Sequence, residues 1–146
     1  MHHMLVARYT EPWRHYHVLA HIGDCLRELD RARELAERPD EIEIALWFHD
    51  AVYVPGRRDN EAASAALTDE TLADGGIEKG VRERVRALIL ATRHDAVPTD
   101  ADARLMVDID LAILGADPYR FGIYDRAIRQ EFASLSPAEF ARGRAL

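Results

Sequence analysis

Apolar residues recur every three or four positions along almost the whole chain, whereas no segment shows the strict alternation of a half-buried β-strand. This periodicity is that of amphipathic helices, so the sequence predicts an all-α fold, a bundle of about six or seven helices. The predicted helices span residues 10–38, 40–52, 60–72, 81–92, 105–114 and 118–132, followed by a short one from residue 137.

Prolines and glycines mark several of the predicted helix ends. Pro39 is expected to end the first helix, and Gly115 is a favoured residue just past the end of the fifth. Asp117-Pro118 combines a capping acid with a first-turn proline, and Ser136-Pro137 has the same form. No internal repeat and no long polar linker separates these segments, so residues 1–146 are predicted to form one domain.

The composition is that of an ordinary globular protein. Of the 146 residues, 48% are hydrophobic and 31% are charged. No stretch approaches the roughly 18 consecutive apolar residues that span a bilayer, and the N-terminal segment lacks the apolar block of a signal peptide. We therefore expect a cytoplasmic protein with no membrane partner. The single cysteine, Cys25, is at an apolar helical position and is predicted to be a core residue.

The net charge argues against nucleic acid as a partner. It is -7 at neutral pH, and phosphate backbones require a basic surface. An anionic small molecule would therefore have to be bound locally, by a metal ion with a few arginines inside a pocket.

The most informative feature of the sequence is a set of polar residues on faces that should be buried. His49 and Asp50 lie within the apolar segment ALWFHDAVY, and Asp108 and Asp110 interrupt RLMVDIDLAIL. Burying a lone carboxylate costs several kcal/mol unless a cation or hydrogen-bond donors compensate it. A shared metal ion would satisfy these groups together.

The first predicted helix carries a similar polar stripe, because its ionisable residues are three or four positions apart. The residues of the stripe are Arg14, His17, His21 and Asp24. Imidazole nitrogen and carboxylate oxygen together suit a divalent ion such as Mn, Fe, Co, Ni, Zn or Mg rather than a thiolate-seeking one. A water bound to such an ion becomes a nucleophile, and the ion polarises phosphoryl oxygens.

Four sequence blocks, in this order, resemble the HD-domain superfamily of metal-dependent phosphohydrolases, in particular a bacterial subgroup of predicted phosphohydrolases. The blocks are RHYHVLAH, LWFHDAVY, DNEAASA and DIDLAILG, and the similarity runs from about Tyr9 to Arg144. The resemblance implies a helical bundle that holds the metal by His21, His49, Asp50 and Asp110. Members of the subgroup commonly continue beyond the final FARGRAL, which implies a missing C-terminal helix and a pocket that is more open or closed by a partner subunit, as in a homodimer.

Two of the implied ligands have competitors nearby. His17 is one turn from His21 and is otherwise expected to contact substrate or a second metal. Asp108 competes with Asp110, although the superfamily ligand is usually the second acid of such a pair. Asp50 and Glu61 are the predicted catalytic residues, Glu61 as the group that orients water or protonates the leaving group.

Other polar residues are predicted to bind the phosphorylated substrate. They are Arg14, His17, His94 and Arg57, with Arg58 as a further candidate. Arg57 and Arg58 have a simpler interpretation as solvated surface residues, and His94 has one as a helix C-terminal cation. The predicted function is hydrolysis of a small phosphorylated metabolite or nucleotide. The alternatives are a di-iron oxygenase of the HD type and a noncatalytic sensing or scaffold domain stabilised by metal.

Overall fold

The computed structural model describes residues 2–144 and contains eight α-helices there, with no β-strand in that range. The helices are α1 (His2–Tyr9), α2 (Leu19–Ala32), α3 (Pro39–Phe48), α4 (Asn60–Asp74), α5 (Lys79–Ala91), α6 (Ala101–Asp110), α7 (Pro118–Glu131) and α8 (Pro137–Arg144). Short 3₁₀ turns follow α2 at Arg33–Leu35 and α6 at Leu111–Gly115. The all-α prediction is confirmed, with one helix more than the upper count expected.

The hydrophobic core lies where α2, α3, α5 and α6 meet. Helix α5 packs against α3, α4 and α6, and α3 also contacts α2 and α6. Ile22 from α2, Leu46 from α3, Ile89 from α5 and Met106 from α6 are completely buried. Cys25 is buried among them, as predicted for a core residue. Helices α2, α3 and α6, which carry or adjoin His21, His49 and Asp110, therefore pack against one another.

The predicted first helix is wrong at its start. Residues 10–18 form turns between α1 and α2 instead of helix, so the polar stripe proposed for this helix does not exist as one helical face. Pro12 lacks an N–H, and the N–H groups of residues 15–17 are bonded to a side chain from the far end of the protein rather than to the preceding turn. Trp13, in these turns, is 45% exposed.

The second predicted helix is shifted at both ends. Pro39 is the first residue of α3 rather than the end of the preceding helix, a position where a proline's missing N–H costs nothing. Helix α3 ends at Phe48, so His49 and Asp50 lie in the turn that follows. The predicted caps of α7 and α8 are confirmed by the side-chain bonds of Asp117 and Ser136 to nearby backbone N–H groups.

Asp102 joins the start of α3 to α6. It is 5% exposed, and its two oxygens accept from the backbone N–H groups of Glu37 at 2.8 Å and Arg38 at 3.0 Å. We expect Asp102→Asn to lower the free energy of unfolding by about 1–3 kcal/mol, because the amide NH₂ would face a backbone donor. Urea denaturation measures this. Asp108→Asn, at an exposed site on the same helix, should have no effect, and equal stability of the two variants would contradict this role.

None of the helices in the described part of the chain has the length and apolar character needed to cross a bilayer. A cytoplasmic location stays a prediction.

Candidate metal centre

His49 is held in the tautomer that a metal ligand requires. It follows the last residue of α3 and is 1% exposed, and its Nδ1 lies 2.9 Å from the carbonyl oxygen of Leu46. A carbonyl oxygen can only accept a hydrogen bond, so Nδ1 carries the ring proton and donates a hydrogen bond to the carbonyl oxygen of Leu46. The other ring nitrogen, Nε2, keeps its lone pair in the neutral ring, and this arrangement is usual for histidines that bind metals through Nε2.

His21 meets His49 at the buried end of α2. Its Nε2 lies 3.3 Å from Nε2 of His49, and the residue is 4% exposed. The ring of Tyr16 covers His21, with 4.8 Å between ring centroids. Two imidazole nitrogens at this separation need a proton or a cation between them.

Two carboxylates complete the group. Oδ1 of Asp110, at the end of α6, lies 3.2 Å from Nε2 of His21 and 3.3 Å from Nε2 of His49. Oδ2 of Asp50 lies 3.0 Å from Nε2 of His49 and 3.6 Å from Nε2 of His21. We call these four residues the His–Asp cluster. Each carboxylate side chain is only 14% exposed.

The spacing of the cluster fits a divalent ion. An ion with bonds of about 2.0–2.2 Å separates neighbouring ligand atoms by roughly 2.8–3.6 Å, whether the angles are octahedral or tetrahedral. Ligand atoms of His21, His49 and Asp110 all lie within 4.8 Å of one another, so these three residues could hold a metal ion. Asp50 is outside this group of three but touches both imidazoles.

The negative charge of the two buried carboxylates also favours a cation in the cluster. Burial by itself lowers the pKa of His49, but Asp50 and Asp110 together raise it well above its usual value. Burial raises the pKa of Asp110, yet His49 and hydrogen bonds from the histidines hold it well below its usual value. The carboxylates therefore stay ionised and the site attracts positive charge. Protons compete with a metal for it, so metal affinity should weaken at low pH.

His94 lies on the outer side of Asp110. Its Nε2 is 3.3 Å from Oδ2 of Asp110, the oxygen that does not face the two buried histidines. The backbone of His94 has a positive φ of 55°, which is uncommon for a residue with a side chain. Glu61, in the first turn of α4, is near enough to contribute to the raised pKa of His94. His94 thus contacts the cluster, whereas a role for Glu61 stays a prediction.

The two predicted arginines are placed differently. The guanidinium of Arg14 is completely buried and donates to the backbone carbonyls of His17, Asp50 and Ala51. It therefore clamps the turn that carries Asp50. Arg57 is exposed and paired with Asp59. Neither guanidinium donates a hydrogen bond to a carboxylate of the cluster. Substrate binding by Arg14 or Arg57 stays a prediction.

Glu131 is a buried residue that the sequence interpretation missed. Its carboxylate has a side-chain exposure of 0% and binds His17, which stacks on Tyr53 with 4.0 Å between ring centroids. Glu131 follows Ile128 by three residues and so continues the inward face of α7. A carboxylate on that face was the available signal, but its hydrogen-bonding partners lie between 78 and 116 residues away along the chain.

One cavity adjoins the His–Asp cluster, and a second lies away from it. One of about 170 Å³ reaches His21 and is lined by Tyr16, Asp24 and Arg120 among others. A wider one of about 860 Å³ lies between α1, α3 and α4 and contains no member of the cluster. The walls of both cavities are mostly apolar, and of the two only the smaller reaches a residue of the cluster.

Comparison of this chain with protein-family models, with curated proteins and with solved structures finds no match in any of the three.

Proposed function

We propose that this protein is a metal-dependent phosphohydrolase of the HD type, acting on a small phosphorylated metabolite or nucleotide. The observation that carries the proposal is the convergence of two buried imidazoles and two carboxylates from three separated segments on one point. The four sequence blocks that resemble the HD superfamily support it, because the residues that the resemblance assigns as ligands are those of the cluster.

In this proposal His21, His49, Asp50 and Asp110 hold the ion. A bound divalent ion would supply an activated water and polarise a phosphoryl oxygen. The hydrogen bond to Leu46 keeps Nε2 of His49 available as a ligand. Arg14 holds the turn of Asp50 in place, and we assign Glu61 and His94 to the substrate side of the site, for which the contact of His94 with Asp110 is the support. Mn, Fe, Co, Ni, Zn and Mg all remain candidates for this donor set.

One observation favours a second function, the di-iron oxygenase. Asp110 places Oδ1 against His21 and His49 and Oδ2 against His94, an arrangement in which its carboxylate could bridge two ions. Two ions per chain and an iron absorption band would favour the oxygenase. One ion per chain without such a band would favour the hydrolase.

The function is tested by elemental analysis followed by a panel of aryl phosphate, nucleotides and sugar phosphates. We expect metal-loaded wild-type protein to hydrolyse at least one of them. Asp110→Asn should bind metal at least about 10-fold more weakly and lose hydrolysis, because a neutral amide is a poorer ligand.

Asp108→Asn is the matched control, since Asp108 is exposed two residues earlier on the same helix. It should keep wild-type metal affinity and activity. Strong thermal stabilisation by metal without turnover of any substrate in the panel would contradict the hydrolase and favour the noncatalytic metal-stabilised domain.

A further inference from the structure

The carboxylate of Glu131 is bonded on both oxygens. Oε1 accepts from the backbone N–H groups of His15, Tyr16 and His17 at 2.8, 2.8 and 3.0 Å. Oε2 lies 2.7 Å from Nδ1 of His17 and accepts from the hydroxyl of Tyr53 at 2.9 Å. Helix α7 thus holds the turn that precedes α2 through one ionised, buried side chain.

These bonds determine which nitrogen of His17 carries a proton. An ionised carboxylate only accepts, so Nδ1 of His17 must donate. Burial lowers the pKa of His17, but Asp50 and the bond to Glu131 raise it above its usual value. Once the ring is neutral, Nε2 is the nitrogen left to accept a hydrogen bond. Glu131 is expected to be ionised, because the bond from His17 and those from the backbone hold its pKa at about 2 although burial alone would raise it.

His17 lies next to the His–Asp cluster. Its ring centroid is 6.0 Å from that of His21, and its side chain is 18% exposed. An acceptor nitrogen at this place is suited to a water or another proton-bearing ligand at the cluster.

We propose that Glu131 is a positioning residue that fixes His17 in its Nδ1–H tautomer, so that Nε2 accepts a hydrogen bond from the attacking water at the His–Asp cluster. The part played by the water rests on the proposed hydrolase function. The tautomer itself does not, and it can be measured in protein without metal.

Glu131→Gln separates positioning from simple support of the fold. The three backbone donors require an oxygen at the position of Oε1, so the glutamine NH₂ must take the position of Oε2. There the glutamine NH₂ would donate a hydrogen bond to Nδ1 of His17, so Nδ1 would have to lose its proton and accept that bond. The variant therefore keeps the size of the side chain and most of its bonds but reverses the tautomer of His17.

The test combines histidine ¹⁵N NMR with kinetics. In metal-free wild-type protein, at a pH where His17 is neutral, we expect its proton on Nδ1, and in Glu131→Gln on Nε2. In metal-loaded protein, Glu131→Gln should lower kcat about 10- to 100-fold, the usual effect of an outer partner of a metal site, with KM within about 2-fold of wild type. The variant combined with His17→Ala should be no slower than His17→Ala alone.

Two controls make the outcome decisive. Tyr53→Phe removes the other donor to Oε2 and should leave the proton on Nδ1, whereas Gln130→Ala, at an exposed neighbour of Glu131, should keep wild-type kinetics. An unchanged tautomer in Glu131→Gln, or a changed tautomer with wild-type kcat, would overturn the proposal. If wild-type protein hydrolyses nothing, the role at the attacking water is lost, while the NMR result still decides whether Glu131 sets the tautomer.

Discussion

Replacing His49 with alanine is expected to lower the affinity for a divalent ion by more than about 100-fold and to abolish phosphate-ester hydrolysis. The reason is that Nε2 of His49 lies within 3.3 Å of the other three groups of the cluster and is presented by its bond to Leu46. Loss of an outer partner alone typically costs 10- to 100-fold, and His49 would be a direct ligand. Isothermal titration with Mn²⁺ or Zn²⁺ measures the affinity.

Thermal unfolding gives a second readout of the same prediction. At a metal concentration about 100 times Kd, binding stabilises the folded state by about 2.7 kcal/mol. For a chain of this size that corresponds to a Tm increase of roughly 5–10 °C in wild-type protein. We expect no such increase in His49→Ala.

Two further variants exclude a trivial loss of folding. His49→Gln keeps most of the side-chain volume and should also lose the metal-dependent Tm increase. His15→Ala removes an exposed imidazole from the preceding turn but leaves the backbone N–H that binds Glu131, so it should behave as wild type. A His49→Ala protein with wild-type Kd would show that the cluster is not the metal site.

Replacing Glu131 with alanine is expected to lower the free energy of unfolding by about 3–5 kcal/mol, the usual cost of removing one partner from a buried charged network. Three backbone N–H groups, a tyrosine hydroxyl and an imidazole would lose their acceptor together. The corresponding fall in Tm is about 10 °C. Gln130→Ala, at the exposed neighbouring position, should change stability by less than about 0.5 kcal/mol.

Acid unfolding tests the same carboxylate without truncating it. The folded-state pKa of Glu131, about 2, is below its ordinary value, so its stabilisation is fully present above about pH 4.5 and is lost as the pH falls towards 2. In EDTA, wild-type protein should lose more stability over this interval than Glu131→Gln, which has no such group to protonate. Parallel losses in the two proteins would show that Glu131 contributes little.

The helical fold was largely predictable because it depends on local information. Apolar periodicity identified α2 to α7, and the caps at Asp117 and Ser136 are short-range bonds between residues two or three apart. The prediction failed at residues 10–18, where the backbone N–H groups of residues 15–17 bind Glu131. Helix α2 begins later than predicted, at Leu19, and three N–H groups before it bind a distant carboxylate that no local pattern indicates.

The sequence by itself indicated most of the helices and the polar residues inside apolar segments, and the set of four candidate metal ligands came from the resemblance to the HD superfamily. Only the tertiary structure decided that Asp110 rather than Asp108 faces the buried histidines, that Arg14 binds backbone carbonyls, and that Glu131 reaches His17. The physical reason is the distance along the chain over which each kind of interaction acts. Helix formation depends on neighbours three or four residues apart, whereas the partner of a buried charge is set by how distant helices pack.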